Sequence, residues 1–305
     1  MEEILTLAVD LGKEAAKKGF PATYIPELAK SDPSDVGVCM VNLDGEIFGY
    51  GDFLKPFTLQ SITKVITLLL ALEDLGEEEV FTHVHMEPTG DPFNSIMSFE
   101  MKNPEKPFNP MINAGAMIVT TLIKGNSAQE KLQRILDFTT KLTGNPQTTL
   151  HMEVYLSEKE TGNRNRSLAY FMKSTGMMKG DVEETLDLYF LQCSILGTAK
   201  DVATIGAVLA GNGIQPFTKE RVLSKAHARI AKTIMTTCGM YDASGEFAVT
   251  CGIPAKSGVG GGVLASVPNK FGIGTYGPSL DLKGNSLAGT TILEFLSRTL
   301  DLSIF

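Results

Sequence analysis

Phe57-Thr58-Leu59-Gln60-Ser61-Ile62-Thr63-Lys64-Val65-Ile66-Thr67-Leu68-Leu69-Leu70 sets a serine at the mouth of a long apolar run, with a lysine three residues on. Pro56 and Thr58 stop the preceding chain and open a helix. The run to Leu75 is almost unbroken, so the predicted helix is buried in a large core. Positions i and i+3 share a helix face, which brings Ser61 Oγ and Lys64 Nζ together at the N-terminal end. Free backbone N–H groups and the positive end of the helix dipole lie there. A lysine held in that place loses solvent, its pKa falls, and it can act as a base. A serine beside a neutral lysine is an activated nucleophile. Among 18 serines only Ser61 has a lysine at +3. About one such spacing arises by chance at average usage, so the pair takes its meaning from the rest of the chain.

The totals narrow the classes. At 305 residues the chain can form one large domain with two lobes, and 43% hydrophobic with 20% charged content suits a sizeable core. A net charge of −8 argues against nucleic acid or an anionic membrane as partner. Cys39, Cys193, Cys238 and Cys251 are far apart, which indicates neither a zinc site nor a disulfide framework, and they read as buried apolar side chains. The start, Met1-Glu2-Glu3-Ile4-Leu5, lacks a basic n-region and an apolar h-region, so a cytoplasmic protein is expected. The longest apolar stretch, Val65–Leu72, is too short to span a bilayer.

Helical spacing covers residues 2–18 and ends at Gly19 and Pro21. Residues 36–42 and 46–50 read as a hairpin turned by Asp44-Gly45. From 77 to 235 the patterns are mostly helical. Helices are predicted over Ile112–Leu122, Ala128–Leu142, Ser167–Lys173, Val182–Cys193 and Thr198–Leu209, with a polar stretch over Ser157–Arg166. Loops fall at Pro88, Gly90 and Pro92, and from Asn103-Pro104 to Asn109-Pro110. Strands return at Gly245–Cys251, Val263–Val267 and Phe271–Tyr276, and a helix over 286–300 closes the chain. These patterns predict an α+β fold in one catalytic domain, 1–305. One antiparallel sheet flanked by the terminal helices forms a lobe from 1–55 and 236–305. Residues 56–235 form a helical lobe, and the site lies in the cleft between them.

Lys256-Ser257-Gly258-Val259 sits on or beside a C-terminal strand. A glycine there allows close approach of a ligand, and the Val259 N–H, with that of Ser61, is placed to donate to a developing oxyanion. It is not a P-loop, in which the lysine follows the glycines. Ser-x-x-Lys with a late Lys-Ser-Gly resembles the serine β-lactamase and penicillin-binding superfamily. The Ser-x-Asn or Tyr-x-Asn element of that superfamily is absent from this chain.

A second resemblance covers nearly the whole chain. Tyr24-Ile25-Pro26-Glu27-Leu28, Gln60-Ser61-Ile62-Thr63-Lys64, Asn109-Pro110-Met111-Ile112-Asn113-Ala114-Gly115-Ala116, Glu158-x6-Asn165, Tyr189, Gly239-Met240-Tyr241-Asp242-Ala243-Ser244-Gly245 and Lys256-Ser257-Gly258-Val259 stand in one order. In this the chain resembles the serine-dependent glutaminase family. The resemblance implies a β-lactamase-like fold and hydrolysis of L-glutamine to L-glutamate and ammonia, with no metal or organic cofactor. It implies that Ser61 is acylated, that Lys64 is its base and that Tyr241 helps in proton transfer. It further implies that Asn113, Glu158, Asn165, Tyr189 and the Val259 N–H contact substrate, and it places Tyr24 near the pocket. A homo-oligomer, dimer or tetramer, is expected on the same ground. Residue chemistry agrees: Glu158 can pair with the substrate ammonium, and Asn113, Asn165 and tyrosine hydroxyls can donate to its carboxylate. Other readings compete. Glu158 lies among charges, the asparagines can cap or turn, and Tyr189 can be core. Another serine amidohydrolase, or a binding protein that keeps the fold, would use the same scaffold.

Overall fold

Val38 and Met40 point to one side of the strand Gly37–Asn42 (β1), Cys39 and Val41 to the other, and all four are fully buried. A strand with apolar residues on both faces must be covered twice. The computed structural model, which describes residues 1–90 and 105–305, shows how. β1 lies inside a five-stranded antiparallel sheet with Ile47–Gly51 (β2), Ala255–Ser257 (β5), Gly262–Val267 (β6) and Phe271–Tyr276 (β7), in the order β2-β1-β7-β6-β5. Two residues, Phe57–Thr58 (β3), pair separately with Leu196–Gly197 (β4).

The helices Glu2–Ala16 and Leu287–Leu300 pack together over one face, burying Leu5, Val9, Ile292 and Leu296 with Val38, Met40 and Ile273. The helix Ala199–Ala210, from the middle of the chain, covers the other face. It is almost all small or branched apolar residues and lies close, because Cβ atoms are missing at Gly272 and Gly274. Side chains there would strike the Ala203 and Ala199 carbonyl oxygens. Thr198 and Asp201 close a capping box at its start.

The helix Thr63–Leu75 runs through the centre of the largest apolar cluster, with all residues from Thr63 to Leu72 buried. Helices Asn113–Leu122, Ala128–Thr143 and Lys225–Cys238 pack around it. Truncating Leu68 or Leu69 to alanine would cost about 2–5 kcal/mol.

Four expectations change. The central helix begins at Thr63, not near Thr58: Thr58 belongs to β3, and Ser61 lies on a 3-10 turn, Gln60–Ile62. The reason is backbone pairing, since the Leu59 N–H donates to the Ile195 carbonyl oxygen before Gln60 turns the chain at φ +48°. Residues 244–250, inside the expected strand Gly245–Cys251, are a helix, Ser244–Thr250. Only Ser244 and Phe247 are buried in it while Val249 is 88% exposed, which is helical and not alternating burial. The third C-terminal strand is instead Ala255–Ser257. The polar stretch Ser157–Arg166 is helical, split between Met152–Thr161 and Asn163–Ser174. Of the expected loops, Pro92, Asn103 and Pro104 lie outside the described residues.

Candidate active site

Ser61 stands where three elements meet. β3 ends one residue before Leu59, Gln60 reverses the chain in the left-handed region, and the 3-10 turn feeds the central helix. A non-glycine residue at positive φ costs about 1–3 kcal/mol and marks a functional turn when its surroundings enforce it. Residues i and i+3 eclipse in a 3-10 turn, so Ser61 and Lys64 stay aligned although only Lys64 is α-helical.

Lys64 is 0% exposed. Its Nζ donates to Asn113 Oδ1 at 2.5 Å and to the Met111 carbonyl oxygen at 3.3 Å. Burial pushes its pKa down to about 8, against the pull of Cys193 and Glu158. Asn113, first residue of its helix, uses Nδ2 to donate to Asn165 Oδ1 at 2.8 Å. Lys64, Asn113 and Asn165 therefore form one chain of hydrogen bonds.

Tyr241 approaches from the other side. It too has positive φ, +56°, in the 3-10 turn Tyr241–Ala243. Ser244 Oγ holds that turn by accepting from the Met240 N–H and donating to the Tyr241 carbonyl oxygen. The Tyr241 hydroxyl is hydrogen-bonded with the Ser61 side chain and donates to the Ser257 carbonyl oxygen at 3.1 Å. Burial raises its pKa, so the phenol keeps its proton.

The loop after β5 lies against the Ser61 turn. A Cβ on Gly258 would come within 2.5 Å of the Leu59 carbonyl oxygen, so only glycine permits the contact. Gly258 N–H pairs with Gly262 and Gly261 N–H with Gly258. Among the described residues the Val259 N–H between them makes no hydrogen bond. A donor left over in a buried loop beside a serine is available to a ligand.

These groups line a cavity of about 220 Å³ with Tyr24, Ser61, Asn113, Glu158, Asn165, Tyr189 and Val259 on its wall. All the residues singled out from the sequence except Lys64 and Tyr241 line it directly. Those two stand behind Ser61, tied to Asn113 and to Ser61 itself. Glu158 is buried, its Oε2 has no hydrogen-bond partner among the described residues, and burial raises its pKa to about 7 despite the Gln60 hydrogen bond and Lys64. An acceptor kept dry and unpaired is costly and awaits a donor. Tyr24 is 56% exposed as a residue, yet its phenol is desolvated and faces Tyr241, Glu158 and Cys193, which holds its pKa well up. The ring flank meets solvent while the hydroxyl enters the cavity. Tyr189 is buried on the helix Val182–Cys193, with its hydroxyl against Cys193.

Gln60, Cys193 and Arg164 also line the cavity and carry no distinctive sequence spacing. None of the four histidines does. A larger cavity, about 420 Å³, lies by Thr120, Lys131 and Asp181 and contains none of the candidate residues, so chemistry and not size selects the site.

Residues 19–305 match the family model described as Glutaminase. The chain is 56% identical over 305 residues to "Glutaminase 2" of Clostridium perfringens (strain 13 / Type A), and 55% identical over 305 residues to a "Glutaminase" of Clostridium botulinum (strain Loch Maree / Type A3). Each match covers 100% of both chains. It is similar in structure to a Bacillus subtilis glutaminase solved as a covalent complex with 5-oxo-L-norleucine, formed by reaction with 6-diazo-5-oxo-L-norleucine. That similarity has a TM-score of 0.89 at 40% identity and covers 99% of each chain.

Proposed function

The chain belongs to the glutaminase family, and from that premise we propose that it cleaves the side-chain amide of L-glutamine through a glutamyl ester on Ser61. The observation that carries the reading is the partnerless Oε2 of buried Glu158 in the cavity that holds Ser61. It asks for a cation, and a free amino acid supplies one as its ammonium. The covalent norleucine complex of the Bacillus subtilis relative supports a covalent step.

In this reading the substrate carboxylate meets Asn165, the remaining Asn113 N–H and the tyrosine hydroxyls, and the amide reaches Ser61. Neutral Lys64 takes the Ser61 hydroxyl proton as Oγ bonds to the amide carbon. The oxyanion that forms lies between the Ser61 and Val259 N–H groups. Tyr241 passes a proton to the amide nitrogen, the C–N bond breaks and ammonia leaves. Water then attacks the ester carbon, its proton returns through the same groups, and Ser61 leaves with glutamate released. No metal or organic cofactor takes part.

The test is ammonia release from L-glutamine by wild type and Ser61→Ala, with mass spectrometry of Ser61 in quenched wild type. Equal rates would sink the mechanism.

We propose one catalytic unit of two lobes, 1–55 with 236–305 and 56–235, with the site in their cleft. We place the enzyme in the cytoplasm, where its four free thiols are stable, and fractionation tests this. Exposed Leu7 and Leu11 on the first helix support a homo-oligomer, which sedimentation tests.

A further inference from the structure

Lys256 has no part in the steps above, yet it is 0% exposed on β5, inside the protein. Keeping a lysine there is costly unless it has work to do. Its Nζ donates to the carbonyl oxygen of the next residue, Ser257, at 2.6 Å. The same oxygen accepts from the Tyr241 hydroxyl at 3.1 Å. Nζ also lies 4.4 Å from the centroid of the Tyr241 ring. Burial, and then the nearby Lys64, push Lys256 well below the ordinary lysine range, and its Nζ has N–H groups to give in either protonation state.

We propose that Lys256 is a positioning residue for Tyr241: it occupies the Ser257 carbonyl oxygen that would otherwise hold the tyrosine's proton, and so leaves that proton for Ser61 and the leaving nitrogen. A carbonyl oxygen that already accepts one short bond is a weaker acceptor for a second, which agrees with the 2.6 Å and 3.1 Å separations. Nζ over the ring face also holds its tilt. Without the amine, the Tyr241 hydroxyl would turn fully to Ser257, and proton delivery would slow while substrate binding stayed intact. The binding groups Glu158, Asn113 and Asn165 lie elsewhere on the cavity wall.

This inference rests on the proton-transfer role given to Tyr241 above, and a double-mutant cycle separates the two. kcat and KM for L-glutamine are measured for wild type, Lys256→Met, Tyr241→Phe and the double variant. Lys256→Met keeps the bulk over the ring and deletes the donor. It is expected to lower kcat about tenfold with KM within about twofold, and to change kcat less than about twofold when Tyr241 is already Phe. Lys256→Gln, which restores an N–H donor, recovers part of the loss. An equal loss of kcat in both backgrounds, or a change in KM alone, overturns the proposal. If Tyr241→Phe by itself leaves kcat unchanged, the proton-transfer reading fails first and takes this one with it. Should Lys256→Met not fold, Lys256→Leu, which also lacks a donor, carries the same cycle. If neither folds, Lys256 serves stability and the proposal falls.

Discussion

Lys64 Nζ donates to Asn113 Oδ1 at 2.5 Å, so the lysine we propose as the base for Ser61 is aimed by a residue that also lines the Ser61 cavity. Asparagine is neutral and leaves the lysine free to lose its proton. Asn113→Asp would place a carboxylate on Nζ and favour the charged form. The acidic limb of the kcat–pH profile is expected to move up by about one unit or more. An unshifted limb would separate Asn113 from the base.

In the proposed mechanism, Lys64 is neutral and Glu158 ionised when substrate binds and reacts. Their pKa values are about 8 and about 7, the first lowered and the second raised by burial. Both requirements favour higher pH. Log kcat/KM should therefore climb with slope near two below about pH 7 and near one up to about 8, then level. A flat profile over that window contradicts the assignment.

Glu158→Gln tests function and stability together. If Glu158 meets the substrate ammonium as proposed, its loss should cut kcat/KM by about 10²-fold or more, as removal of one partner of a buried ion pair costs several kcal/mol. The unliganded variant should be more stable than wild type at pH 8. Glu158 has its folded pKa raised to about 7, so the folded state binds its proton more tightly than the unfolded chain does. That contribution is fully present below the unfolded value and is lost as pH rises through about 7. Thermal unfolding should show a gain on the order of 1–3 kcal/mol at pH 8 and little at pH 4. A variant less stable at pH 8 would show that the Gln60 hydrogen bond outweighs the burial of the Glu158 charge.

Gly258→Ala tests the proposed oxyanion donors. The added methyl would press on the Leu59 carbonyl oxygen and push the Val259 N–H away from Ser61. kcat should fall about 10²–10³-fold, the loss expected for one donor. Circular dichroism should show the fold retained, and wild-type turnover would remove Val259 from the hole.

The apolar periodicities named the hairpin, the helix Val182–Cys193, the capped helix after Thr198 and β7 in place, because local burial repeats at 2.0 or 3.6 residues. Ser244–Thr250 misled because its glycine and branched residues suit a strand while only its burial pattern is helical. The turn at Gln60 was hidden for a different reason. Nothing in Leu59-Gln60-Ser61 demands positive φ; the pairing of Leu59 with Ile195, over a hundred residues away, does.

The sequence alone determined that a serine and a lysine stand one turn apart at the edge of a deeply apolar helix, and that a Lys-Ser-Gly-Val segment returns late in the chain. Spacing of three along a helical path is local geometry and needs no fold to establish it. Only tertiary structure decided which residues complete the pair. It set Asn113 on Lys64, Tyr241 on Ser61, Glu158 dry in the cavity with Oε2 unmet among the described residues, and Lys256 Nζ over the Tyr241 ring. Those relations depend on burial, and burial, which moves Lys64 down and Glu158 up, belongs to the packed chain and not to any segment of it.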